Sequence, residues 1–191
     1  LIWKAARAGI DGGSVFVLVG GGATLDMAGF AASLLGIPVI RIPSTLLAQV
    51  DAGIGVKNGV NFFGQKNFLG AFDAPEAVLV DPTLLARDDN EGLVEAIKVS
   101  LMKRAPGTAS DAAYFELIES RLQDVLRKDP SAESKMQEIM LLSVASHLEQ
   151  IGTDPWEKEL ARPLDFGHEW AHPLEVLTNH RLSHGQAVAI G

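Results

Sequence analysis

Four of the five histidines in the chain lie close together near its end, between His168 and His184. His168 and His172 are four residues apart, so on a helix their imidazoles lie on the same face, one turn from each other. His180 lies in the same region, shortly before His184. Taken alone, each histidine is more typical of a core or surface position than of a metal ligand, so the cluster by itself leaves its chemistry open.

A second candidate site follows the first apolar run of the chain. Residues 14–19 form a run that is continuously apolar after Ser14 and rich in β-branched side chains, which predicts a strand buried on both faces of a parallel sheet. A glycine run at 20–22 follows, and the apolar spacing over 24–35 predicts a helix. This order of elements places backbone N–H groups where a phosphate could bind. A tight turn that needs glycine for its backbone angles explains the same residues equally well.

Further polar residues lie between the later predicted strands, at 38–43 and 77–82. Lys57, Lys66 and Asn67 are embedded in segments rich in glycine, which we predict to be loops. Side chains in such loops often reach a ligand, although solvated loop residues have the same composition.

After about Leu84 the sequence changes character, because β-branched runs disappear and helical periodicity takes over. Helices are predicted at 92–103, 112–126 and 131–152. The predicted architecture is therefore an α/β, Rossmann-like parallel-sheet domain at 1–85, followed by an all-α domain at 86–191. On the first of these helices, Glu95 and Lys98 lie three residues apart, a spacing typical of a surface ion pair worth a few tenths of a kcal/mol.

The overall composition excludes several classes of protein. With 47% hydrophobic and 21% charged residues, the chain has the composition of a soluble globular protein. Its net charge of -8 and the lack of basic clusters argue against a nucleic-acid or membrane partner and favour a small-molecule ligand. The absence of cysteine excludes thiolate metal sites and is consistent with a reducing cytoplasm. Neither end of the chain has a polar, frayed composition, so we expect a fragment of a longer protein.

Short motifs run through the chain in a fixed order. They are the residues at 20–22 (GGG) with 26–30 (DMAGF), 43–51 (PSTLLAQVD), Lys57 with 59–61 (GVN), 64–67 (GQKN), 95–98 (EAIK), 165–168 (DFGH) and 184–188 (HGQAV). Over roughly residues 15–191, this series resembles the sugar-phosphate cyclases typified by 3-dehydroquinate synthase. The resemblance implies a dehydroquinate synthase-like fold whose helical domain binds metal, and a cytoplasmic homodimer that acts on a sugar phosphate.

The same resemblance implies two cofactors, NAD and a zinc ion that cobalt can replace, and it assigns residues to them. The implied metal ligands are Glu95, His168 and His184. One carboxylate and two imidazoles leave coordination positions open for a substrate oxygen, as a catalytic zinc requires. The residues implied to contact NAD are Gly21, Gly22, Asp26, Ser44, Thr45, Lys57 and Lys66.

The resemblance also implies a reaction and the residues that carry it. NAD would transiently oxidise a substrate alcohol, phosphate would leave by β-elimination, the ketone would be reduced again, and an aldol step would close the carbocycle. The implied substrate-binding residues are Asp51, Lys66, Asn67, Lys98, Asp165 and His172. The implied catalytic residues are Lys98, Asp51, His172 and Lys57. His180 matches no motif and is predicted to be a solvated loop residue.

The chain departs from dehydroquinate synthases at positions that concern the substrate. A lysine, an arginine and an asparagine of those enzymes are replaced by His147, Ala161 and Asp165. Two cations suited to a substrate carboxylate are thus lost and a negative charge is gained, which predicts a substrate without a carboxylate, such as a heptulose 7-phosphate. Valiolone-forming cyclases likewise resemble this chain in carrying aspartate at the position of Asp165.

Three alternatives remain open at this point. Arg162 could supply a displaced cation and His172 is retained, so a true dehydroquinate synthase acting on a heptulosonate 7-phosphate is one of them. The second is an NAD- and metal-dependent polyol dehydrogenase, which has the same order of domains. The third is an inactive paralogue, because Leu35 also replaces an arginine that reaches a phosphate in the family.

Overall fold

The computed structural model describes residues 1–85, 91–102, 111–158, 162–179 and 181–191. The chain divides into two compact units, Leu1–Asp89 and Asn90–Gly191. The described part of the first unit combines strands and helices, and that of the second is helical. The predicted fold class, an α/β part followed by an all-α part, is therefore confirmed. Among the described residues, the helices lack the length and apolar character that crossing a membrane would require.

The first unit contains a parallel sheet, a helix that covers it and a separate hairpin. Its elements are α1 (Ile2–Arg7), β1 (Phe16–Gly20), α2 (Gly22–Leu35), β2 (Val39–Pro43), a π-helical turn (Ala48–Ala52), β3 (Lys57–Phe62), β4 (Gln65–Phe72), β5 (Ala77–Val78) and a 3₁₀ turn (Pro82–Leu84). The parallel strands have the order β1-β2-β5, with Phe16 opposite Val39 and Gly20 opposite Pro43. Parallel neighbours need a crossover connection, which α2 provides between β1 and β2.

The core of this unit lies between the sheet and α2. Leu18 of β1 and Val39 of β2 pack against apolar side chains of α2, among them Leu25 and Ala32. The expectation that β1 is buried on both faces is wrong, because Val17 and Val19 are 57% and 56% exposed. Successive side chains of a strand point to opposite faces, and α2 covers the face that carries Leu18.

The segment with the two predicted ligand-binding lysines is a hairpin, which corrects the loop prediction. Lys57 begins β3, and Lys66 and Asn67 lie in β4, which pairs antiparallel with β3. Glycine is depleted in strands, so the sequence argues for loops here. In the hairpin, however, Gly59 provides space, because a Cβ at this position would lie 2.6 Å from Oδ1 of Asn67. The third predicted strand is also shorter than expected, at Ala77–Val78.

The second unit is built from five α-helices and a short 3₁₀ turn in its described residues. They are α3 (Glu91–Leu101), α4 (Asp111–Leu126), α5 (Ala132–Thr153), the 3₁₀ turn (Pro163–Asp165), α6 (His168–Leu177) and α7 (His184–Ile190). The predicted helices correspond to α3, α4 and α5 within the described residues; Lys103, at the predicted end of the first, lies outside them. Ala171 of α6 packs with Ala187 and Val188 of α7, together with Val94 of α3. This cluster holds the three helices that carry Glu95 and the histidines.

Candidate functional site

The structure brings together the three residues predicted to bind a metal. One potential ligand atom from each of Glu95, His168 and His184 lies within 4.8 Å of the others. Oε1 of Glu95 is 3.9 Å from Nε2 of His168 and 3.8 Å from Nε2 of His184. The Glu95 side chain is fully buried, whereas those of His168 and His184 are 15% and 22% exposed. The cluster is therefore accessible to solvent from the side of the histidines.

Each of the two histidines is the first residue of a helix. Gly167 precedes His168 and has φ of 78°, a left-handed conformation that glycine adopts without strain. Ser183 precedes His184 and forms a capping box with Gln186. Close approach also matters, because a Cβ at Gly185 would lie 2.9 Å from the carbonyl oxygen of Glu91 on α3. These backbone features fix the direction in which both imidazoles leave their helices.

The outward ring nitrogens of both histidines face hydrogen-bond acceptors. Nδ1 of His184 lies 2.8 Å from Oε1 of Glu175, and Nδ1 of His168 lies 3.3 Å from the carbonyl oxygen of Phe166. An acceptor at Nδ1 favours the tautomer in which Nδ1 carries the proton and Nε2 has the free lone pair. Both Nε2 atoms face Glu95, so the donor set fits a divalent metal ion held by two neutral imidazoles and a carboxylate.

Glu175 contacts one of the predicted metal ligands and was not identified in the sequence analysis. It lies seven residues after His168, a spacing that places both on one side of a helix, and it is 6% exposed. A seven-residue spacing on a helix does not by itself distinguish a carboxylate at a site from any other. The contact with His184 depends on how α6 and α7 pack, and the sequence contains no direct indication of it.

Lys98 lies at the same site, and its environment corrects the prediction of a surface ion pair. Its Nζ forms an ion pair with Oε2 of Glu95, and the two side chains are 4% and 0% exposed. The same Nζ donates a hydrogen bond of 2.8 Å to the carbonyl oxygen of Leu164. A buried ion pair differs from a surface pair, because loss of either partner leaves a charge in a poorly solvated position.

Of the other predicted residues of the second unit, His172 lies beside this cluster. The ring of His172 is 5.5 Å from that of His168 and 6.3 Å from that of His184, measured between centroids. Asp165 ends the 3₁₀ turn and lies 3.9 Å from Nη1 of Arg162. His147 is buried on α5, at 3% exposure. Ala161 and His180 lie outside the described residues.

Four of the predicted nucleotide-binding residues, Gly21, Gly22, Ser44 and Thr45, lie around the start of α2 in the first unit. Gly21 is the N-cap of this helix, and Gly22 is its first residue. A Cβ at Gly21 would lie 3.1 Å from Cγ2 of Thr45. The backbone N–H of Ser44 donates to the carbonyl oxygen of Gly20 at 2.9 Å, which joins the ends of β1 and β2. The carboxyl ends of two parallel strands and a helix N-terminus therefore meet, an arrangement suited to a phosphate.

Asp26, on α2, interacts electrostatically with two other predicted residues of this unit, Lys66 and Asp51. Burial raises its pKa to about 6, although the guanidinium of Arg41, the backbone N–H of Gly59 and Lys66 oppose the rise and Asp51 adds to it. Arg41 is itself buried and donates to the carbonyl oxygen of Gly55 and to Oδ1 of Asn58. Lys57 is exposed at the start of β3.

The raised pKa of Asp26 predicts a pH-dependent stability. The folded chain holds this proton between about pH 4 and pH 6, where the unfolded chain has released it, so stability falls as pH rises through this interval. Wild type loses this stabilisation as the pH rises, whereas Asp26→Asn has no proton to lose at this position. The free energy of unfolding of Asp26→Asn, relative to that of wild type, is therefore expected to be about 1–2 kcal/mol higher at about pH 7.5 than at about pH 5, after a reduction for solvent screening. Urea unfolding of both proteins at the two pH values measures this change.

Asp81→Asn is the matched control for this experiment. The side-chain and backbone hydrogen bonds from Thr83 lower the pKa of Asp81, so its proton is released below the tested interval. This variant should therefore differ from wild type by the same amount at both pH values. If the stability difference between Asp26→Asn and wild type is also the same at both pH values, the raised pKa of Asp26 is contradicted.

Comparison with known proteins places the chain in a family. The model of the 3-dehydroquinate synthase N-terminal region matches residues 1–95, and that of the C-terminal region matches residues 92–191. A 3-dehydroquinate synthase of Solibacter usitatus is 40% identical, over 98% of this chain and 52% of its own length. A 2-epi-5-epi-valiolone synthase of an Actinomyces species is 36% identical, over 91% of this chain and 47% of its own.

A solved structure agrees with these matches. It is the 2-epi-5-epi-valiolone synthase ValA of Streptomyces hygroscopicus subsp. jinggangensis 5008 with NAD⁺ and Zn²⁺ bound, and it superposes with a TM-score of 0.87 at 33% identity. The alignment covers 99% of this chain and 52% of that structure, so the chain spans about half the length of the relatives it matches. Since the two family models together match the whole chain, it belongs to the 3-dehydroquinate synthase family of sugar-phosphate cyclases.

Proposed function

We propose that this chain belongs to an NAD- and zinc-dependent carbon–oxygen lyase that eliminates phosphate from a heptulose 7-phosphate and closes a carbocycle. The observation that carries the proposal is the convergence of Glu95, His168 and His184, with both Nε2 atoms directed at one carboxylate. The NAD⁺ and Zn²⁺ bound in the Streptomyces valiolone synthase support the choice of cofactors. The family relationship supports a cytoplasmic homodimer.

The donor set favours zinc, and cobalt is a suitable substitute. Imidazole nitrogen and carboxylate oxygen suit both ions, and the three donors leave further coordination positions open. A metal bound here would supply a Lewis acid for a substrate oxygen, and NAD would supply a reversible hydride acceptor. In the first unit, Gly21, Gly22, Ser44 and Thr45 would line the phosphates of NAD, and Asp26 would lie beside them.

The polar residues beside the metal ligands would bind the substrate and move protons. The ammonium of Lys98 is fixed by Glu95 and the carbonyl oxygen of Leu164, so it would hold a developing negative charge in a fixed position. The imidazole of His172, next to the rings of His168 and His184, would transfer a proton to or from the substrate. In the first unit, Lys57, Lys66, Asn67 and Asp51 would bind the phosphate and hydroxyl groups of the substrate.

The charges around the 3₁₀ turn favour a substrate without a carboxylate. Asp165 lies between two residues whose carbonyl oxygens contact the site. That of Leu164 accepts a hydrogen bond from Lys98, and that of Phe166 lies beside Nδ1 of His168. Arg162 does not offer a free cation here, because its guanidinium lies 3.7 Å from Oε2 of Glu157 and 3.9 Å from Oδ2 of Asp165. A substrate carboxylate at this position would meet two protein carboxylates that share one arginine.

Phosphate release on two substrates tests this proposal. We expect kcat/KM to be at least about tenfold higher for a heptulose 7-phosphate than for a heptulosonate 7-phosphate, since unfavourable charge pairs cost several kcal/mol. Asp165→Asn should narrow this difference, because it removes the negative charge and keeps the shape. Asp124→Asn, which alters an ion pair with Lys135 on the α4–α5 surface, is the control and should leave the ratio unchanged.

A preference for the heptulosonate would instead support a true dehydroquinate synthase. That second candidate is favoured by His172, which is retained from the dehydroquinate-forming type, and by the name of the Solibacter relative. An absence of phosphate release from both substrates in the full-length protein would favour the inactive paralogue.

A further inference from the structure

Glu175 is a buried carboxylate that none of the proposed catalytic steps uses. It lies on α6 within one turn of Ala171 and Leu174, which belong to the apolar contact between α6 and α7. Placing a carboxylate in such a setting is costly unless it is hydrogen-bonded. Its Oε1 lies 2.8 Å from Nδ1 of His184, so this imidazole is a partner that offsets the cost.

The contact fixes which nitrogen of His184 can face a metal. A carboxylate oxygen accepts a hydrogen bond and donates none, so it selects the tautomer with the proton on Nδ1. The lone pair of Nε2 then points to the side of the ring where Oε1 of Glu95 lies, at 3.8 Å. His184 is thus held between two glutamates, one on each ring nitrogen.

The two histidines of the cluster are not equivalent in this respect. Nδ1 of His168 faces the neutral carbonyl oxygen of Phe166 at the longer distance of 3.3 Å, close to the limit for a hydrogen bond. Hydrogen bonds to an ionised acceptor are shorter and stronger than those between neutral groups. A carboxylate behind an imidazole also makes the ring a better donor to a metal ion.

We infer that Glu175 is a positioning residue that sets the tautomer and orientation of His184 and thereby determines how tightly this chain retains its metal ion. The inference rests on the metal site of the proposed function. It assigns to His184 the role of the stronger imidazole donor and to His168 that of the weaker one.

Two variants of Glu175 and one control test the inference through zinc affinity, measured by competition with a chelator. Loss of such a partner typically weakens metal binding 10- to 100-fold, so we expect about tenfold weaker binding for Glu175→Gln and up to about 100-fold for Glu175→Leu. Glu169→Gln removes an exposed carboxylate from the same helix and should stay within about twofold of wild type. If Glu175→Leu fails to fold, Glu175→Gln, which keeps the shape, decides the question.

Nitrogen NMR of the imidazoles in the metal-free protein adds a readout that a purely structural role would not change. Wild type should show His184 with the proton on Nδ1, and Glu175→Leu should shift it toward the other tautomer. Unchanged zinc affinity in both variants, or an unchanged tautomer, would overturn the inference. Neither readout requires turnover, so a protein that binds zinc with these properties but releases no phosphate would contradict the proposed function alone.

Discussion

Replacement of His184 by alanine is expected to weaken zinc binding by more than about 100-fold and to abolish turnover. Changes to the outer partners of metal ligands already cost 10- to 100-fold, and this change removes one of three protein donors. It would leave Glu95 and His168, which bind a divalent ion less tightly than three converging groups. Elemental analysis of the purified variant measures the zinc content directly.

His172→Ala is the matched control for this variant. His172 lies on the same side of α6 as His168, with its ring 6.3 Å from that of His184, but it is not one of the three converging ligands. We expect it to retain zinc and to lose turnover, because its proposed role is proton transfer. Full zinc occupancy in His184→Ala would refute the ligand assignment.

Replacement of Lys98 by methionine should destabilise the metal-free second unit by about 3–5 kcal/mol, since removing one partner of a buried pair leaves an uncompensated charge. The side chains of Lys98 and Glu95 are 4% and 0% exposed, so water cannot replace the lost ammonium. Zinc should recover part of this loss, because a bound cation stabilises the folded state and places positive charge beside Glu95. Denaturant unfolding with and without zinc measures both effects.

Lys135→Met provides the comparison with an exposed ion pair in the same unit. Nζ of Lys135 lies 2.6 Å from Oδ2 of Asp124, but these side chains are 21% and 38% exposed. Such a pair contributes at most about 1 kcal/mol, so the variant should lose no more than this. Equal losses in the two variants would show that burial of Lys98 has no special energetic role.

Local patterns in the sequence were sufficient for the order and type of most elements. A continuous apolar run predicts β1, and the apolar spacing of the following residues predicts α2, because these periodicities arise within single elements. The change near Leu84 from β-branched runs to helical periodicity likewise separates an α/β part from a helical part. The error at β1, where Val17 and Val19 are exposed, arises because a continuous apolar run does not show how many layers cover a strand.

Tertiary contacts account for what the sequence did not predict. The spacing of Glu95 and Lys98 is the same for a surface pair and a buried one, and only the packing of α3 against neighbouring helices distinguishes them. The contact between Glu175 and His184 joins two helices and has no periodicity in the sequence. Arg41 is a similar case, because a buried arginine in a strand is stable only where distant carbonyl groups, such as that of Gly55, accept hydrogen bonds from its guanidinium.

The most direct test of the proposed cyclase activity follows phosphate and NADH together. The full-length protein, supplied with NAD and zinc, would be incubated with a heptulose 7-phosphate, and in parallel with a polyol that carries no phosphate. We predict continuous phosphate release and formation of a cyclic product without accumulation of NADH, because NAD is regenerated in each turnover. Stoichiometric NADH without phosphate release would contradict the account and would instead indicate a polyol dehydrogenase.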